Sequence, residues 1–492
     1  MHGLAVRRRL GIAVPLVLLL GLSAYLRTRT LDASLWIDEG ISVGIASHSF
    51  SDIPGLLRQD GSPPAYYLLL HAWIELAGTG EVALRAPSLA FALATVPAAL
   101  WGGRSLFGPR AGWLCALLAA VMPFLTGYAQ ETRMYALVAL LSVVATACFL
   151  HVFAYRRRGY LPAFAVLLAL LLYTHYWALF LASGLLAALA ALAFTASGAQ
   201  RTSLLRDGAL GFGPPALAFV PWLPTFAFQL EHTGAPWSNP PPLSALLGAL
   251  ALGVGAGVLP LLGEGGEERQ ALRGLALAGA LALGAAWTSA QLEPGWATRY
   301  LTVLVGPLLL LTGATLARLR GLGVVGAAAL ALVWVVGASP EEKSNVAGMS
   351  AAVAHRLEAG DLIVSTQPEQ VPVLAHYLPP GLRYATPLGP VEDPHVMDWR
   401  AALRRLERTR ADGALAPLLD SLPAGATVLL VRPDVGDGDR WRAPWTSLVM
   451  RRSDEWETAL ATDGRFSRVH GTTEPEQTSR TSIRITLYRK TG

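Results

Sequence analysis

The sequence predicts an α-helical membrane protein that carries a soluble α/β domain at its C-terminal end. Hydrophobic residues make up 53% of the 492 residues and charged residues only 15%, a balance that favours a bilayer over water around most of the chain. Apolar stretches of about 20 residues, the length a helix needs to cross a bilayer, recur up to Gly337. From Pro340 onward the composition is that of an ordinary soluble domain. We therefore predict a transmembrane domain over residues 1–338, with a first outer loop over 27–81, and a soluble domain over 339–492.

About eleven apolar segments qualify as membrane spans. They are 10–26, 82–103, 111–128, 134–153, 160–175, 177–196, 208–230, 243–262, 274–291, 299–317 and 321–337. The segment from Pro64 to Leu76 is also apolar, but it is short and contains His71 and Glu75, so its length alone fits either a span or an interfacial helix. If the arginines at 7–9 are cytoplasmic and this segment does not cross, the arginine clusters between later spans are all cytoplasmic, as the positive-inside rule requires. The first outer loop is therefore predicted to contain interfacial helices.

The same count of spans places the remaining polar segments and the soluble domain on the extracytoplasmic side of the cell membrane. The net charge of +5 arises from short clusters between apolar segments rather than from one basic face, so nucleic acid is not predicted as a partner. The two cysteines, Cys115 and Cys148, lie inside apolar segments and predict neither a disulfide framework nor a thiolate metal site. No Walker loop, GxGxxG or HExxH motif is present, so nucleotide chemistry is not supported.

Two adjacent carboxylates, Asp38 and Glu39, follow the first apolar segment after a short loop. An enzyme that acts on a lipid-carried substrate needs a general base at the membrane surface, and Asp38 suits that role, with Glu39 positioning the acceptor or Asp38 itself. The alternative is that the pair stabilises the N-terminus of an interfacial helix that starts near Gly40, where the helix dipole favours negative charge. The residues alone leave both interpretations open.

A second polar group, Glu131 and Arg133, lies at the outer junction of two spans between Tyr128 and Tyr135. Charges near the membrane carry an insertion cost, so an opposite-sign pair at this place suits a substrate. The alternative is an aromatic belt that anchors a charge-neutral turn at the interface.

Three further candidates are less specific. Asp60 precedes a Gly-Ser-Pro-Pro turn and suits either an acceptor contact or a turn cap. His175 and Tyr176 lie in a tight outer turn. Membership of an interfacial aromatic belt is favoured over metal binding, because no second His or Cys lies at metal-ligand spacing near the histidine. Arg299, followed by Tyr300, opens a span from its outer end, where its planar guanidinium suits either a phosphate or lipid headgroups.

Five motifs in fixed order give the sequence a family resemblance. They are Trp36-x-Asp38-Glu39, Asp60-Gly-Ser-Pro-Pro-Ala-Tyr-Tyr, Glu81-Val-Ala-Leu-Arg-Ala-Pro-Ser, Gly103-Arg-Ser-Leu-Phe-Gly and Tyr128-Ala-Gln-Glu-Thr-Arg-Met-Tyr. Together they resemble the GT-C glycosyltransferases, and most closely the bacterial branch of protein-mannosyltransferase-like and lipid A aminoarabinose-transferase-like enzymes. The resemblance extends from about Leu10 to about Leu311.

The resemblance implies transfer of a sugar from a polyprenyl-phosphate donor to an extracytoplasmic acceptor, which is a glycan, a lipid or a protein. Asp38 matches the family's catalytic acidic residue, so Asp38 and Glu39 are the implied catalytic residues, and a one-step displacement would invert the anomeric centre. The implied donor- and acceptor-binding residues are Asp60, Glu131, Arg133, Tyr135, His175, Tyr176, Arg299 and Tyr300. Some members of the superfamily use a divalent metal and others do not. No metal ligand is predicted here, because no further carboxylates cluster with Asp38 and Glu39.

Two other functions are compatible with the same apolar bundle. A transporter of lipid-linked sugars should contain ionisable groups at mid-membrane depth, and the predicted spans contain few. A membrane anchor without activity would leave the acids and arginines on one face unexplained. The C-terminal domain is predicted to contain strands at 361–366, 426–432 and 482–488 and a helix within 399–410, and either to select the acceptor or to stabilise the fold.

Overall fold

The computed structural model describes residues 2–258, 266–293, 295–337, 342–434, 443–471 and 481–491. The chain forms two compact units. The first, which we call the helical unit, consists of Met1–Leu31, Arg85–Pro224 and Pro240–Pro340. The second, the mixed unit, consists of Asp32–Leu84, Thr225–Asn239 and Glu341–Gly492. The predicted domain boundary at 338/339 and the end of the predicted span 243–262 lie outside the described residues.

Helices account for most of the chain up to residue 337. They are α1 (His2–Arg27), α2 (Ile37–Ala46), α3 (Ile53–Asp60), α4 (Ala65–Ala77), α5 (Glu81–Phe107), α6 (Pro109–Val121), α7 (Pro123–Ala129), α8 (Tyr135–Phe153), α9 (Leu161–Thr174), α10 (Ala178–Thr195), α11 (Gly198–Phe219), α12 (Leu223–His232), α13 (Leu243–Val258), α14 (Glu267–Leu292), α15 (Val305–Arg318) and α16 (Arg320–Val336). A 3₁₀ segment, Thr298–Leu304, precedes α15.

Five helical stretches within the described residues are long and apolar enough to cross a membrane. They are Glu81–Phe107, Tyr135–Phe153, Ala178–Thr195, Glu267–Leu292 and Thr298–Arg318. Helices α6 and α7 form a pair bent by 52° that would count as a sixth, because Pro123 forces Met122 out of the helical conformation. Three shorter apolar stretches are Gly11–Arg27, Arg158–Thr174 and Arg320–Val336. A helix lies at the position of each predicted span, but the predicted number of about eleven crossings is not confirmed.

Small and polar residues join the helices of the helical unit. Gly306 in α15 lies directly against the backbone of Ser142 in α8, a close approach that a larger residue would prevent. The hydroxyl of Ser142 donates to Val303 O at 2.6 Å and accepts from the Gly306 N–H at 3.0 Å. The buried Arg27 side chain donates to Ala92 O in α5 at 2.7 Å and to Ala119 O in α6 at 2.5 Å. The bonds of Ser142 hold the 3₁₀ segment against α8. The bonds of Arg27 hold the end of α1 against α5 and α6.

The helices of the first outer loop belong to the mixed unit. Helix α4 has 13 residues, about 20 Å at the α-helical rise, which is less than the thickness of a bilayer core. The prediction that Pro64–Leu76 does not cross rests on the charge distribution and stays a prediction. The alternative interpretation of the two acids places a helix start near Gly40, and α2 begins about one turn earlier, at Ile37. Asp38 and Glu39 consequently lie within its first turn.

The C-terminal residues of the mixed unit form a six-stranded sheet. Its elements are α17 (Val346–Ala354), β1 (Leu362–Ser365), α18 (Val371–Tyr377), β2 (Arg383–Thr386), β3 (Gly389–Val391), α19 (Ala402–Arg408), α20 (Ala411–Ala414), α21 (Ala416–Asp420), β4 (Thr427–Pro433), α22 (Pro444–Thr462), β5 (Phe466–Gly471) and β6 (Ile483–Lys490). The strand order is β3-β2-β1-β4-β6-β5. The three predicted strands are confirmed as β1, β4 and β6, and the predicted helix as α19.

The central strands of this sheet are parallel. Strand β1 pairs in parallel with β2 on one side and with β4 on the other, whereas β3, β5 and β6 pair antiparallel with their neighbours. One face of the sheet packs Leu362, Val364, Val428 and Leu430 against α21 and α22. The chain leaves β1 toward β2 and later returns on the other side of β1 as β4, so the strand order reverses between β1 and β4. This is the position at which open α/β sheets place their ligand crevice, beyond the carboxyl ends of the strands.

Candidate active site

The first turn of α2 carries the two predicted catalytic carboxylates. Asp38 is partly buried, while Glu39 is completely buried. The Glu39 carboxylate accepts a hydrogen bond from the Trp36 N–H at 3.3 Å, so it caps the helix by satisfying a backbone donor that has no partner within the helix. The structure therefore gives Glu39 a structural task and leaves Asp38 as the partly accessible acid of the pair.

Helix α2 is packed against the C-terminal part of the mixed unit through two glycines. A Cβ atom on Gly40 would lie 2.6 Å from Val373 Cβ and 2.7 Å from Val373 N, in α18. A Cβ atom on Gly44 would overlap the backbone of His395. Since such distances are far below van der Waals contact, only glycine allows α2 to approach α18 this closely. The packing fixes the backbone from which Asp38 projects.

A hydrogen-bond bridge holds the residues just before α2. The hydroxyl of Tyr377 accepts from the Leu35 N–H at 2.8 Å and donates to Glu81 Oε1 at 3.0 Å. Burial raises the pKa of Tyr377 far above its usual value, so the phenol keeps its proton and can serve as this donor. Tyr377 is the last residue of α18 and anchors the segment before α2.

A third carboxyl group lies near Asp38, and it comes from the C-terminal residues. Glu369 follows β1 in a short 3₁₀ turn and is only 6% exposed. Its Oε1 accepts from Gln367 Nε2 at 3.0 Å and from Trp445 Nε1 at 2.9 Å. Burial above all, with a further contribution from the negative charge of Asp38, raises the pKa of Glu369 despite these bonds. Glu369 is therefore acted on by the charge of Asp38 within the mixed unit.

Asp60, the last residue of α3, accepts a hydrogen bond from the Tyr67 hydroxyl in α4 at 3.0 Å. Gly61 follows in the left-handed conformation, with φ of 92°, and a Cβ atom there would lie 2.7 Å from Thr233 Oγ1. Asp60 thus links two consecutive helices across a tight glycine turn, which favours the structural interpretation over an acceptor contact.

Five of the predicted binding residues meet in the helical unit, and we call them the arginine–aromatic cluster: Arg133, Tyr135, His175, Arg299 and Tyr300. The His175 ring lies 5.8 Å from the Tyr135 ring and 4.9 Å from the Tyr300 ring, and the two tyrosine rings are 6.4 Å apart. The Arg133 guanidinium is 5.7 Å from the Tyr135 ring, and that of Arg299 is 5.6 Å from the Tyr300 ring. Cations at these distances are attracted to the ring faces. The cluster brings two guanidinium groups to one aromatic wall.

His175 is held in one tautomer. The Trp177 N–H donates to His175 Nδ1 at 3.1 Å, so in the neutral ring the proton resides on Nε2. Burial, followed by the positive charges of Arg133 and Arg299, lowers the pKa of His175 to about 3. At neutral pH the ring is therefore uncharged, and Nε2 is a hydrogen-bond donor.

The loop between α7 and α8 fixes the remaining residues of this group. Glu131 is buried, and its carbonyl oxygen accepts from the Arg133 N–H at 2.8 Å. The carbonyl oxygen of Arg133 in turn accepts from the Ser88 hydroxyl at 3.2 Å. Tyr176 has a different neighbour, since its hydroxyl accepts from Trp222 Nε1 at 2.8 Å. The structure thus fixes the backbone of this loop at Glu131 and Arg133 and directs Tyr176 toward Trp222.

The predicted site residues are divided between the two units. Asp38, Glu39 and Asp60 belong to the mixed unit, and the arginine–aromatic cluster to the helical unit. Sequence reasoning missed Glu369 and its partner Trp445. The segment after β1, residues 367–370, is rich in Gln and Glu and is nevertheless buried. In the sequence, this polar run directly after an apolar strand was the available signal of a functional site. Within the described residues, no group of three or more His, Cys, Asp or Glu side chains could hold a metal ion.

Comparisons with known proteins support the fold. No protein-family model and no curated protein matches the chain. The crystal structure of ArnT from Cupriavidus metallidurans in the apo state matches 97% of this chain and 98% of its own, with a TM-score of 0.63 and 14% identity. ArnT bound to undecaprenyl phosphate matches the same shares with a TM-score of 0.61. The Archaeoglobus fulgidus oligosaccharyltransferase in complex with Zn and sulfate covers 84% of this chain and 67% of its own, with a TM-score of 0.53 and 12% identity. The chain has the GT-C fold.

Proposed function

We propose that the protein is an integral-membrane glycosyltransferase that moves a sugar from a polyprenyl-phosphate donor to an extracytoplasmic acceptor. The observation that carries the proposal is the likeness to ArnT over 97% of the chain, joined to a partly buried aspartate on the first outer loop. ArnT has been solved with undecaprenyl phosphate, a lipid of the proposed donor class. The proposal includes about eleven crossings of the cell membrane, with the C-terminal residues on the extracytoplasmic side.

Asp38 is the general base in this proposal. It takes the proton from an acceptor hydroxyl whose oxygen attacks the anomeric carbon, while the bond from that carbon to the phosphate oxygen breaks. The electron pair leaves with the polyprenyl phosphate, which gains a negative charge. A single displacement of this kind inverts the anomeric centre.

Arg133 and Arg299 bind the departing phosphate in this proposal. Their guanidinium groups present fixed donors that match phosphate oxygens, and a cation placed where charge develops lowers the barrier. The neutral His175 adds a donor at Nε2, and Tyr135 and Tyr300 form an apolar wall suited to the sugar or the first isoprene units.

The test is a transfer assay with purified protein in lipid nanodiscs. Polyprenyl-phosphate mannose, arabinose and galactose are supplied with glycan, lipid and peptide acceptors, and mass spectrometry follows donor loss and product mass. Wild-type protein should consume one donor, and Asp38→Asn should lose at least about 100-fold in rate, the lower end of what a positioned base contributes. Asp32→Asn removes an exposed carboxylate from the same loop and should leave the rate unchanged. Full activity of Asp38→Asn would overturn the assignment of the base. In sealed proteoliposomes, donor that crosses the bilayer without being consumed would indicate a transporter instead.

A further inference from the structure

Helix α2 packs against the segment that follows the carboxyl end of β1. The turn after β1, Pro368–Gln370, and the helix that follows it, α18, both contact α2, and Gly40 seals the contact with α18. This is the crevice where the strand order reverses, which in open α/β sheets receives a ligand. On the β1 side of this position, the helix of the first outer loop that carries Asp38 lies against the turn and α18.

Glu369 is the ionisable residue that the sheet contributes to this crevice. It is fully enclosed, and its two oxygens have different surroundings. Oε1 accepts two hydrogen bonds, from Gln367 and Trp445, whereas Oε2 has no hydrogen-bond partner among the described residues. A carboxylate with one oxygen buried and unbonded is costly, whereas a carboxylic acid accepts at one oxygen and carries the proton on the other. The arrangement around Glu369 is that of the neutral acid.

The charged groups around Glu369 support the same protonation state. On α2 the charge that acts on Glu369 is that of Asp38, while on α18 His376 faces Glu39 and Glu81. Two neighbouring carboxyls do not readily ionise together, so one of them retains its proton at a pH where an isolated acid would lose it. Glu369 is enclosed whereas Asp38 is partly accessible to water, so Glu369 is the carboxyl group that retains the proton.

We propose that Glu369 is a positioning residue of the active site, which holds a proton beside Asp38 so that Asp38 remains the ionised base. The inference rests on the proposed function, since it assigns Glu369 a task in that reaction. It also gives the C-terminal residues a direct role, because they supply a group that acts on the base. As a neutral acid, Glu369 adds no further negative charge beside Asp38.

The first test needs no substrate. Infrared spectra of the full-length protein in nanodiscs should contain a protonated-carboxyl band near neutral pH that is absent in Glu369→Gln. In Asp38→Asn the same band should disappear at a pH lower by about 1 unit, because one like charge has been removed. Asp434→Asn is the matched control, as Asp434 is also buried at a strand end but is paired with Arg484 at 2.9 Å. The proposal would be overturned if the band persists in Glu369→Gln. It would also be overturned if the pH at which the band disappears is the same in Asp38→Asn as in the wild type.

The second test follows sugar transfer against pH. In Glu369→Ala the acid limb of the rate profile should move up by about 1 pH unit, because Asp38 then lies beside an apolar void, and Glu369→Gln should restore the wild-type limb. A purely structural role would lower the rate at every pH without moving the limb, and that result would overturn the proposal. If Asp38→Asn is fully active, the assignment of Asp38 as base fails while the infrared result still decides the protonation of Glu369.

Discussion

Gly40 in α2 and Val373 in α18 lie so close that a Cβ atom on Gly40 would be 2.6 Å from Val373 Cβ. The contact joins the loop that carries Asp38 to the C-terminal residues within one compact unit. It involves the Val373 backbone as well as its side chain, so a rotamer change cannot relieve an overlap. The position of Asp38 therefore depends on a residue more than three hundred positions away.

Gly40→Ala should destabilise the protein and slow sugar transfer. The added methyl group must displace backbone, and overpacking of this kind costs about 1–3 kcal/mol, more than the helix gains from alanine. A shift of Asp38 by about 1 Å would cost on the order of 100-fold in rate. Thermal unfolding in nanodiscs and the transfer assay measure both effects.

Gly55→Ala is the control for this prediction. Gly55 also lies in a helix of the first outer loop, α3, but a Cβ atom there would meet nothing within 4 Å. Its substitution should therefore be neutral or should stabilise by about 0.5–1 kcal/mol. Equal effects of the two substitutions would show that the contact with Val373 has no special importance.

The sequence predicts the strongly patterned elements of this fold and misses the weakly patterned ones. Strands β1, β4 and β6 are apolar runs and were predicted. Strand β2 is the mixed run Arg-Tyr-Ala-Thr, β3 has only three residues, and β5 has no buried side chain, so none of these three gives a hydrophobic signal. Apolar length located the helices, but length alone does not determine which of them cross a bilayer.

The candidate site shows a similar division. Asp38, Arg133 and Arg299 were found as local motifs, because polar residues next to apolar spans are conspicuous. That Arg133 and Arg299 both lie beside His175 follows from how the helices pack, which one sequence does not reveal. Glu369 was not predicted, because its role depends on burial near Asp38. The two residues are far apart in the chain, and the sequence around Glu369 does not reveal their proximity.

Tyr377→Phe should loosen the backbone before α2. The substitution removes the hydroxyl that joins Leu35 N–H to Glu81 and leaves a partly buried backbone donor unsatisfied, at a cost of about 1–3 kcal/mol. We expect a lower unfolding temperature and slower transfer. Tyr384→Phe is the matched control, because it deletes the hydroxyl of another mostly buried tyrosine for which no hydrogen bond is found among the described residues. Equal unfolding temperatures for the two variants would contradict an anchoring role.

Arg299→Gln and Arg133→Gln should weaken donor binding more than they affect folding. Each removes a charged donor that the proposed mechanism assigns to the phosphate, and such a bond is worth about 1.5–3 kcal/mol, or about 10- to 100-fold in affinity. Titration with undecaprenyl phosphate measures the loss. Arg201→Gln removes an exposed arginine near the start of α11, beyond the far end of α10 from His175, and should bind like wild type. Unchanged affinity in both cluster variants would contradict the phosphate assignment.

His175 should make the stability of the protein depend on pH. Its pKa is about 3 in the folded protein, against 6.5 for the free side chain, so between these values the unfolded chain binds more protons than the folded one. The contribution of the neutral ring is thus complete above pH 6.5 and is lost as the pH falls toward 3, by up to about 1.4 kcal/mol per pH unit. The unfolding temperature of the wild type should fall over this window.

In His175→Gln the slope of unfolding temperature against pH should be smaller, since glutamine does not titrate. In Arg133→Gln the slope should also decrease, because one of the charges that oppose protonation is gone. A His175→Gln variant with the wild-type slope would show that the pH dependence arises elsewhere.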